Sequence, residues 1–308
     1  MLIYIARRLL QGLIVIVLIS FVTFGILQFA PGSPIDVMMG DTQLTQVQLD
    51  ALERKWGLDR PWYEQYFTWA GNMLRGDFGV SIVRTGQPVS DMLRDAAPVT
   101  LKLNAIAFAI SLSVAIPVGV AAAVRRNSLF DYVSMVAATF GIALPAFWIS
   151  LMLIIIFALK LGWLPSSGSG SWKNYVMPVA VLATEQTALL ARVARGSTLE
   201  VLRQDYVTTA RAKGLANRVV ITRHVFRNAM LPIMTLIGLR LAFLLSGTLI
   251  VETIFAWPGI GRLFIDSVFR LDYQVVQAIV LLLAVLVVVM NLLTDLLYAV
   301  VDPRIRLR

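Results

Sequence analysis

The sequence predicts an all-α integral membrane protein, with six transmembrane helices, both termini cytoplasmic and a small helical extracytoplasmic insertion after the first span. Three observations lead there. Apolar residues make up 58% of the chain and charged residues 15%, where soluble domains carry about 25% charge. Several apolar runs exceed the ~18 residues a helix needs to cross a bilayer. Lys and Arg gather in alternate loops, as cytoplasmic loops of membrane proteins do.

The expected spans are 9–29, 100–123, 132–159, 176–193, 229–255 and 273–300. The first follows Arg7 and Arg8 and resembles a signal sequence in outline. Its length of about 21 residues, roughly 32 Å as a helix, suits a retained span better than the shorter apolar core of a signal peptide. Pro117, Pro145, Pro178 and Pro232 fall in or at the ends of spans, where neighbouring helices re-satisfy the freed backbone groups.

Orientation follows from the loops. The N-terminus, the loop with Arg125 and Arg126, the segment 192–228 and the tail with Arg304, Arg306 and Arg308 all lie on one side of a six-span chain. The 192–228 segment holds eight Lys/Arg against Glu200 and Asp205, whereas the loop between spans three and four has only Lys160 and Lys173. That side is expected to be cytoplasmic. The net charge of +9 is therefore read as loop charge and not as a nucleic-acid surface. With no cysteine and a single histidine, His224, the chain offers no disulfide framework and no histidine-rich metal site.

Two segments exceed simple connectors. The first, 31–98, has six Lys/Arg and nine Asp/Glu, a net of −3. Thr45 with Gln48 forms a capping box and Gly57 closes the first predicted helix. Pro61 begins a second and Gly76 follows its end, with GDFG at 76–79 as a turn. SSGSGS at 166–171 reads as a short flexible turn.

The second is the basic segment 195–228, which contains DYVTTARAKGL at 205–215. Asp205 is placed to cap a short helix, Lys213 suits its negative end and Gly214 its C-cap. At helical spacing Tyr206, Thr209, Ala210 and Lys213 share one face, while Val207, Arg211 and Leu215 form a mixed one. Such a peg, too short to fold alone, either passes a push from a soluble partner into spans four and five or lies on anionic lipid. The periodicity favours neither.

Resemblance separates them. DYVTTARAKGL with RHVFRNAMLP at 223–232 is similar to the cytoplasmic loop of ABC importer permeases of the dipeptide, oligopeptide and nickel branch. YIARRLL at 4–10, GDFGVS at 76–81, LPAFW at 144–148, LGWLP at 161–165, ETIFAWPGIGRL at 252–263 and DPRIR at 302–306 fall in the same order along nearly the whole chain. The resemblance implies that 205–214, with Asp205, Tyr206, Thr209, Ala210, Arg211, Lys213 and Gly214, is a coupling helix docking on an ATP-hydrolysing subunit. The generic superfamily loop has Glu-Ala-Ala where this chain has Thr208, Thr209 and Ala210, a departure usual in the peptide branch. It further implies a second permease subunit, two ATP-binding subunits, an extracytoplasmic solute-binding protein and a bacterial cytoplasmic membrane. The 31–98 insertion would contribute to the binding protein's docking face. The solute would be a short peptide, or alternatively glutathione, a nickel chelate or another small solute. The chain has no GxxxxGK[ST] loop, so ATP and its Mg are expected on the partner, with no cofactor here.

Ionisable groups at mid-bilayer cost ~2.5–3.5 kcal/mol on insertion scales and usually face a partner or water. Glu185 and Arg240 lie near the middles of spans four and five. They are candidates, with Ser246, for the translocation path, or else form a structural ion pair or contact the second permease. In span four, Glu185, Ala188, Arg192 and Arg195 recur at helical spacing as a small and polar stripe. Trp163 and Trp257 are expected at the outer interface, and Glu252 and Asp295 within reach of water. An ion-coupled carrier would need more mid-membrane carboxylates and an internal repeat, and a membrane enzyme would need a nucleophile or paired carboxylates. The sequence supplies neither set.

Overall fold

The computed structural model describes residues 2–28, 59–84, 86–242 and 248–301. In chain order the helices are α1 (Leu2–Gln28), α2 (Trp62–Leu74), α3 (Val89–Val124), α4 (Leu129–Ala143), α5 (Ala146–Leu153), α6 (Trp172–Leu202), α7 (Asp205–Ala212), α8 (Phe226–Ala242), α9 (Leu249–Ile254), α10 (Ile260–Phe269) and α11 (Tyr273–Val301). A π-helical stretch, Ile154–Lys160, continues α5, and another, Val220–Val225, leads into α8. Among the described residues there is no strand beyond an isolated bridge between Val80 and Pro88. The chain divides into two compact units, residues 1–100 with 258–308, and residues 101–257.

In the first unit α1 packs along α11. Gly12 makes the approach possible: a Cβ there would meet Val288 Cγ1 at 2.4 Å. Small residues set such crossings in membranes, where association rests on close packing rather than on water exclusion. An aromatic cluster joins α2 to α1. Tyr66 packs edge-on against Phe21 and Phe24, both with centroids 5.5 Å away, and its hydroxyl lies 2.9 Å from Ser20 Oγ. Pro61 stands at the N-cap of α2, as expected of a residue that fixes φ without an N–H to lose. At the other end Gly76 turns left-handed at φ +79°, and the Asp77 N–H reaches Asn72 O at 3.0 Å, closing the helix as a Schellman motif. The GDFG turn is present, with Gly79 N–H donating to Asp77 Oδ1 at 2.9 Å. The Thr45 capping box and Gly57 lie outside the described residues.

The segment after this turn reaches Asp272, which is 2% exposed. Its carboxylate accepts from Ser81 Oγ at 2.5 Å and Ile82 N–H at 3.2 Å. A buried carboxylate persists only with its hydrogen bonds supplied, so this pairing pins residues 81–82 to the start of α11.

In the second unit α6 is the central rod. Ala115, Leu190, Ala191, Ala194 and Ile233 bury one another where α3, α6 and α8 meet. A Cβ on Gly119 would lie 2.5 Å from Ala191 O, and one on Gly141 would lie 2.9 Å from Ala188 Cβ. Both α3 and α4 therefore touch α6 through a glycine seated on its alanines.

The structure departs from the expected spans at spans two and three, and span five is described only in part. Span two begins at Val89 and not near 100, because the last part of the 31–98 insertion is already helical. The 36 residues of α3 extend ~54 Å, well beyond a ~30 Å hydrocarbon core. Span three is not one rod: α4 and the α5 segment meet at 102°, where Leu144 is extended and Pro145 caps α5. Span five is described as α8 and α9, with 243–247, and hence Ser246, outside the described residues. Among the described residues, four helices are long and apolar enough to cross a membrane, five if the bent pair is one span. The 166–171 turn is pinned, since Gly168 N–H donates to Phe255 O at 3.0 Å and Asn174 Nδ2 to Ser167 O at 2.8 Å.

Two peripheral assignments change as well. Trp257 is fully buried, its ring 4.6 Å from that of Tyr175, so it does not join a lipid-facing belt, whereas Trp163 is exposed. Glu252 is fully buried and does not reach water. The side chain of Asp295 lies outside the described residues.

Candidate functional site

α6 runs past the end of its apolar stretch to Leu202 and hands the chain to α7 after Arg203 and Gln204. The N-cap of α7 is Gln204, not Asp205, and no side chain caps it. Asp205 is the first helical residue, where its charge still favours the positive end of the dipole. The C-terminus closes as expected. Gly214 has φ +79°, its N–H reaches Arg211 O at 2.9 Å, and the Leu215 N–H reaches Ala210 O at 3.4 Å.

Val207 and Ala210, three apart on α7, turn inward. They bury against Val220 and Val225, with Val201 and Leu202 packed beside them. This corrects the sequence reading in which Ala210 shared an outward face with Tyr206, Thr209 and Lys213. Of the face that reading took for mixed, only Val207 turns inward, whereas Arg211 and Leu215 are exposed. Asp205, Tyr206, Thr209, Arg211, Lys213 and Gly214 are exposed. The Tyr206 hydroxyl accepts from Asn228 Nδ2 at 2.9 Å, and the same nitrogen donates to His224 O at 2.9 Å. Thr209 Oγ1 donates back to Asp205 O at 2.9 Å. A short helix is thus fixed by its core to the end of α6 and by Tyr206 to the segment opening α8. Its outward surface is polar and basic.

Glu185 of α6 and Arg240 of α8 come together, with Arg240 Nη1 3.4 Å from Glu185 Oε1. Their side chains remain 58% and 30% exposed respectively, so the pair lines a surface rather than a sealed core. Further along α6, Arg192 Nη2 donates to Thr139 Oγ1 at 3.3 Å.

One residue of consequence was not singled out from the sequence. Asp131, in the first turn of α4, is 2% exposed and takes both Nε and Nη2 of Arg195 on its two oxygens. Its signal is Ser128 three residues ahead: Ser128 is the N-cap of α4 and its hydroxyl accepts from Asp131 N–H.

Residues 115–307 match the binding-protein-dependent transport system inner membrane component family, and residues 1–104 match the N-terminal region of such membrane components. The chain belongs to this family. It is 42% identical over 312 residues to the oligopeptide transport system permease protein AppB of Bacillus subtilis strain 168, covering 98% of each chain. To the glutathione transport system permease protein GsiC of Escherichia coli K12 it is 39% identical over 306 residues, covering 99% of each. As a binding-protein-dependent inner membrane component, the chain is a multi-pass permease.

Proposed function

We propose that the chain is the transmembrane subunit of an ATP-driven importer. With a second, homologous permease it forms an alternating-access pathway for short peptides delivered by an extracytoplasmic solute-binding protein. Residues 205–214 dock on one of two ATP-binding subunits, which hold ATP and Mg. In this reading the chain makes and breaks no bond itself. Six spans cross the membrane, both termini are cytoplasmic, and 31–98 lies outside.

The observation that carries the reading is the build of α7. Its apolar side is used up on the chain's own core, and its exposed side presents Tyr206, Thr209, Arg211 and Lys213. A helix lying on lipid needs its apolar face outward. A helix whose exposed side is mainly polar, with Arg211 and Lys213 at its end, suits a polar groove on a protein.

The work of the helix follows from its attachments. When nucleotide binding closes the ATPase pair, α7 is displaced, and α6 and α8 move with it because α7 is anchored to both. Glu185, Arg240 and Ser246 are assigned to the pathway, where a paired acid and base suit the two charged ends of a peptide. In the first unit a recess of about 310 Å³ is lined by Arg84, Gln87, Asp95, Arg262 and Asp266. This mixed charge supports a docking role for that face. The oligopeptide permease among the relatives favours peptides as the solute, and the glutathione permease extends the range to another short peptide-like molecule.

The test is reconstitution with the second permease, both ATPases and the binding protein in liposomes. ATP-dependent uptake of labelled di- and oligopeptides, and a disulfide from Lys213→Cys to a cysteine in the ATPase groove, are the expected results. Uptake that survives ATP depletion and collapses with an uncoupler would instead indicate an ion-coupled carrier. Competition by excess glutathione distinguishes the second solute.

A further inference from the structure

The coupling segment moves α6, yet α6 must take the other helices with it. Among the described residues of the second unit, α4 meets α6 through a single hydrogen bond from Arg192 Nη2 to Thr139 Oγ1 at 3.3 Å and through two further contacts of contrasting chemistry. One is the crossing at Gly141 on Ala188. The other lies at the start of α4, where the Asp131 carboxylate binds the guanidinium of Arg195 in a two-point fork, with Nη2 to Oδ2 at 2.8 Å. The Asn127 N–H donates to the same carboxylate at 3.0 Å. Asn127 itself stands at φ +62°, so the turn from α3 into α4 is shaped around this acid. Arg195 lies about two helical turns before the end of α6, next to the junction with α7.

A glycine–alanine crossing resists separation but permits sliding and rotation, since its contacts are short-range and non-directional. A bidentate guanidinium–carboxylate pair fixes both distance and orientation. Buried on the acid side, it is also costly to open, since opening takes the counter-charge from a carboxylate that is 2% exposed, although Arg195 itself is 25% exposed. We propose that Asp131 and Arg195 are positioning residues for transport: they lock the α3–α4 turn to the driven end of α6, so that displacement of α7 carries α3, α4 and α6 as one body. Without the lock, α6 tilts against α4 and part of the nucleotide-driven movement is lost as slippage. The proposal rests on the importer reading above and adds to it the element that makes hydrolysis and uptake keep step.

The experiment uses the complete reconstituted importer and reads two quantities together, peptide uptake and ATP hydrolysis. In Asp131→Asn and Arg195→Lys, uptake per ATP is expected to fall about tenfold, while hydrolysis without binding protein stays within about twofold of the parent. Lys keeps the charge and loses the fork, so Arg195→Lys separates orientation from electrostatics. Because the chain has no cysteine, Asp131→Cys with Arg195→Cys gives a defined pair in an assembly freed of other thiols. Bridging it with a short bis-methanethiosulfonate is expected to restore uptake per ATP, and reduction to abolish the gain. If single variants fail to assemble, the bridged and reduced forms of the double variant, measured on one preparation, decide the matter. Uptake and hydrolysis falling in parallel, or bridging without effect, overturns the proposal. Absence of ATP-driven uptake in the unsubstituted assembly would instead strike the importer reading itself.

Discussion

At the scale of single residues, the chain leans on glycines and on buried acids. Gly119 admits the backbone of α6: any side chain there meets Ala191 O and Ala194 Cβ, the latter at 2.6 Å. Gly119→Leu is therefore expected to abolish stable protein in detergent, read by size-exclusion recovery, whereas Gly25→Leu, with no atom near its Cβ position, leaves recovery unchanged. Asp272 behaves differently. Its substitution by Ala leaves Ser81 Oγ and the Ile82 N–H without their acceptor, at a cost of about 1–3 kcal/mol for each buried donor. Faster proteolysis around Arg84 is the expected readout, with α1 and α11 intact. Some of this was legible in the sequence and some was not. Gly214 was readable because a left-handed cap has almost one solution. Asp205 was misread because an acid before a helix can cap it or begin it, and the choice depends on where the preceding helix ends. Asp131 was passed over because a carboxylate near a membrane span looks like any loop charge until Arg195, far away in sequence, is brought to it.

At the scale of elements, α7 shows how a short helix persists. Eight residues are too few to be stable alone, and this helix is held by burying Val207 and Ala210 and by closing its C-terminus on Gly214. Gly214→Val forces a β-branched residue to φ +79°, which costs about 1–2 kcal/mol and opens the cap. Trypsin is then expected to cut at Arg211 and Lys213 several-fold faster in the detergent-solubilised chain; unchanged cleavage would show that the core alone suffices. Val207→Asp removes the core instead and is expected to release the whole segment, with cleavage extending to Arg203. The periodicity placed this helix to within a residue or two at each end but not its rotation. Val207 and Ala210 were assigned to different faces because the apolar partners that turn both inward, Val220 and Val225, come from the next element. The break in span three was equally hidden. A run as apolar as 132–159 carries no mark of direction, and Pro145 is tolerated in straight and bent membrane helices alike.

At the scale of the whole molecule, composition decided most. The excess of apolar over charged residues made the chain a membrane protein, and the alternation of basic loops gave it an orientation that single cysteines can map in this cysteine-free background. Ser167→Cys is expected to react with an impermeant maleimide added outside intact spheroplasts, and Ala212→Cys only after permeabilisation. The opposite pattern would reverse the topology, and reaction of both from one side would change the number of crossings between them. The count of spans was harder to read than their existence, because hydropathy reports how apolar a stretch is and not whether it runs straight. The division into two units was also invisible, since it falls within α3, between Thr100 and Leu101, where the sequence of a continuous helix gives no sign.

In the docking proposed above, the seating of α7 on its own small core has a consequence for assembly. Ordering a loop of eight residues at the moment of contact would cost on the order of 10 kcal/mol in backbone entropy, at about 1–2 kcal/mol for each residue. Here the shape exists before any motor subunit arrives, so almost none of the contact energy is diverted to folding. A modest polar interface is then enough to hold the motor. Motors can exchange between permeases without the membrane part losing its form, and a shared pool of ATPases serving several permeases becomes physically reasonable.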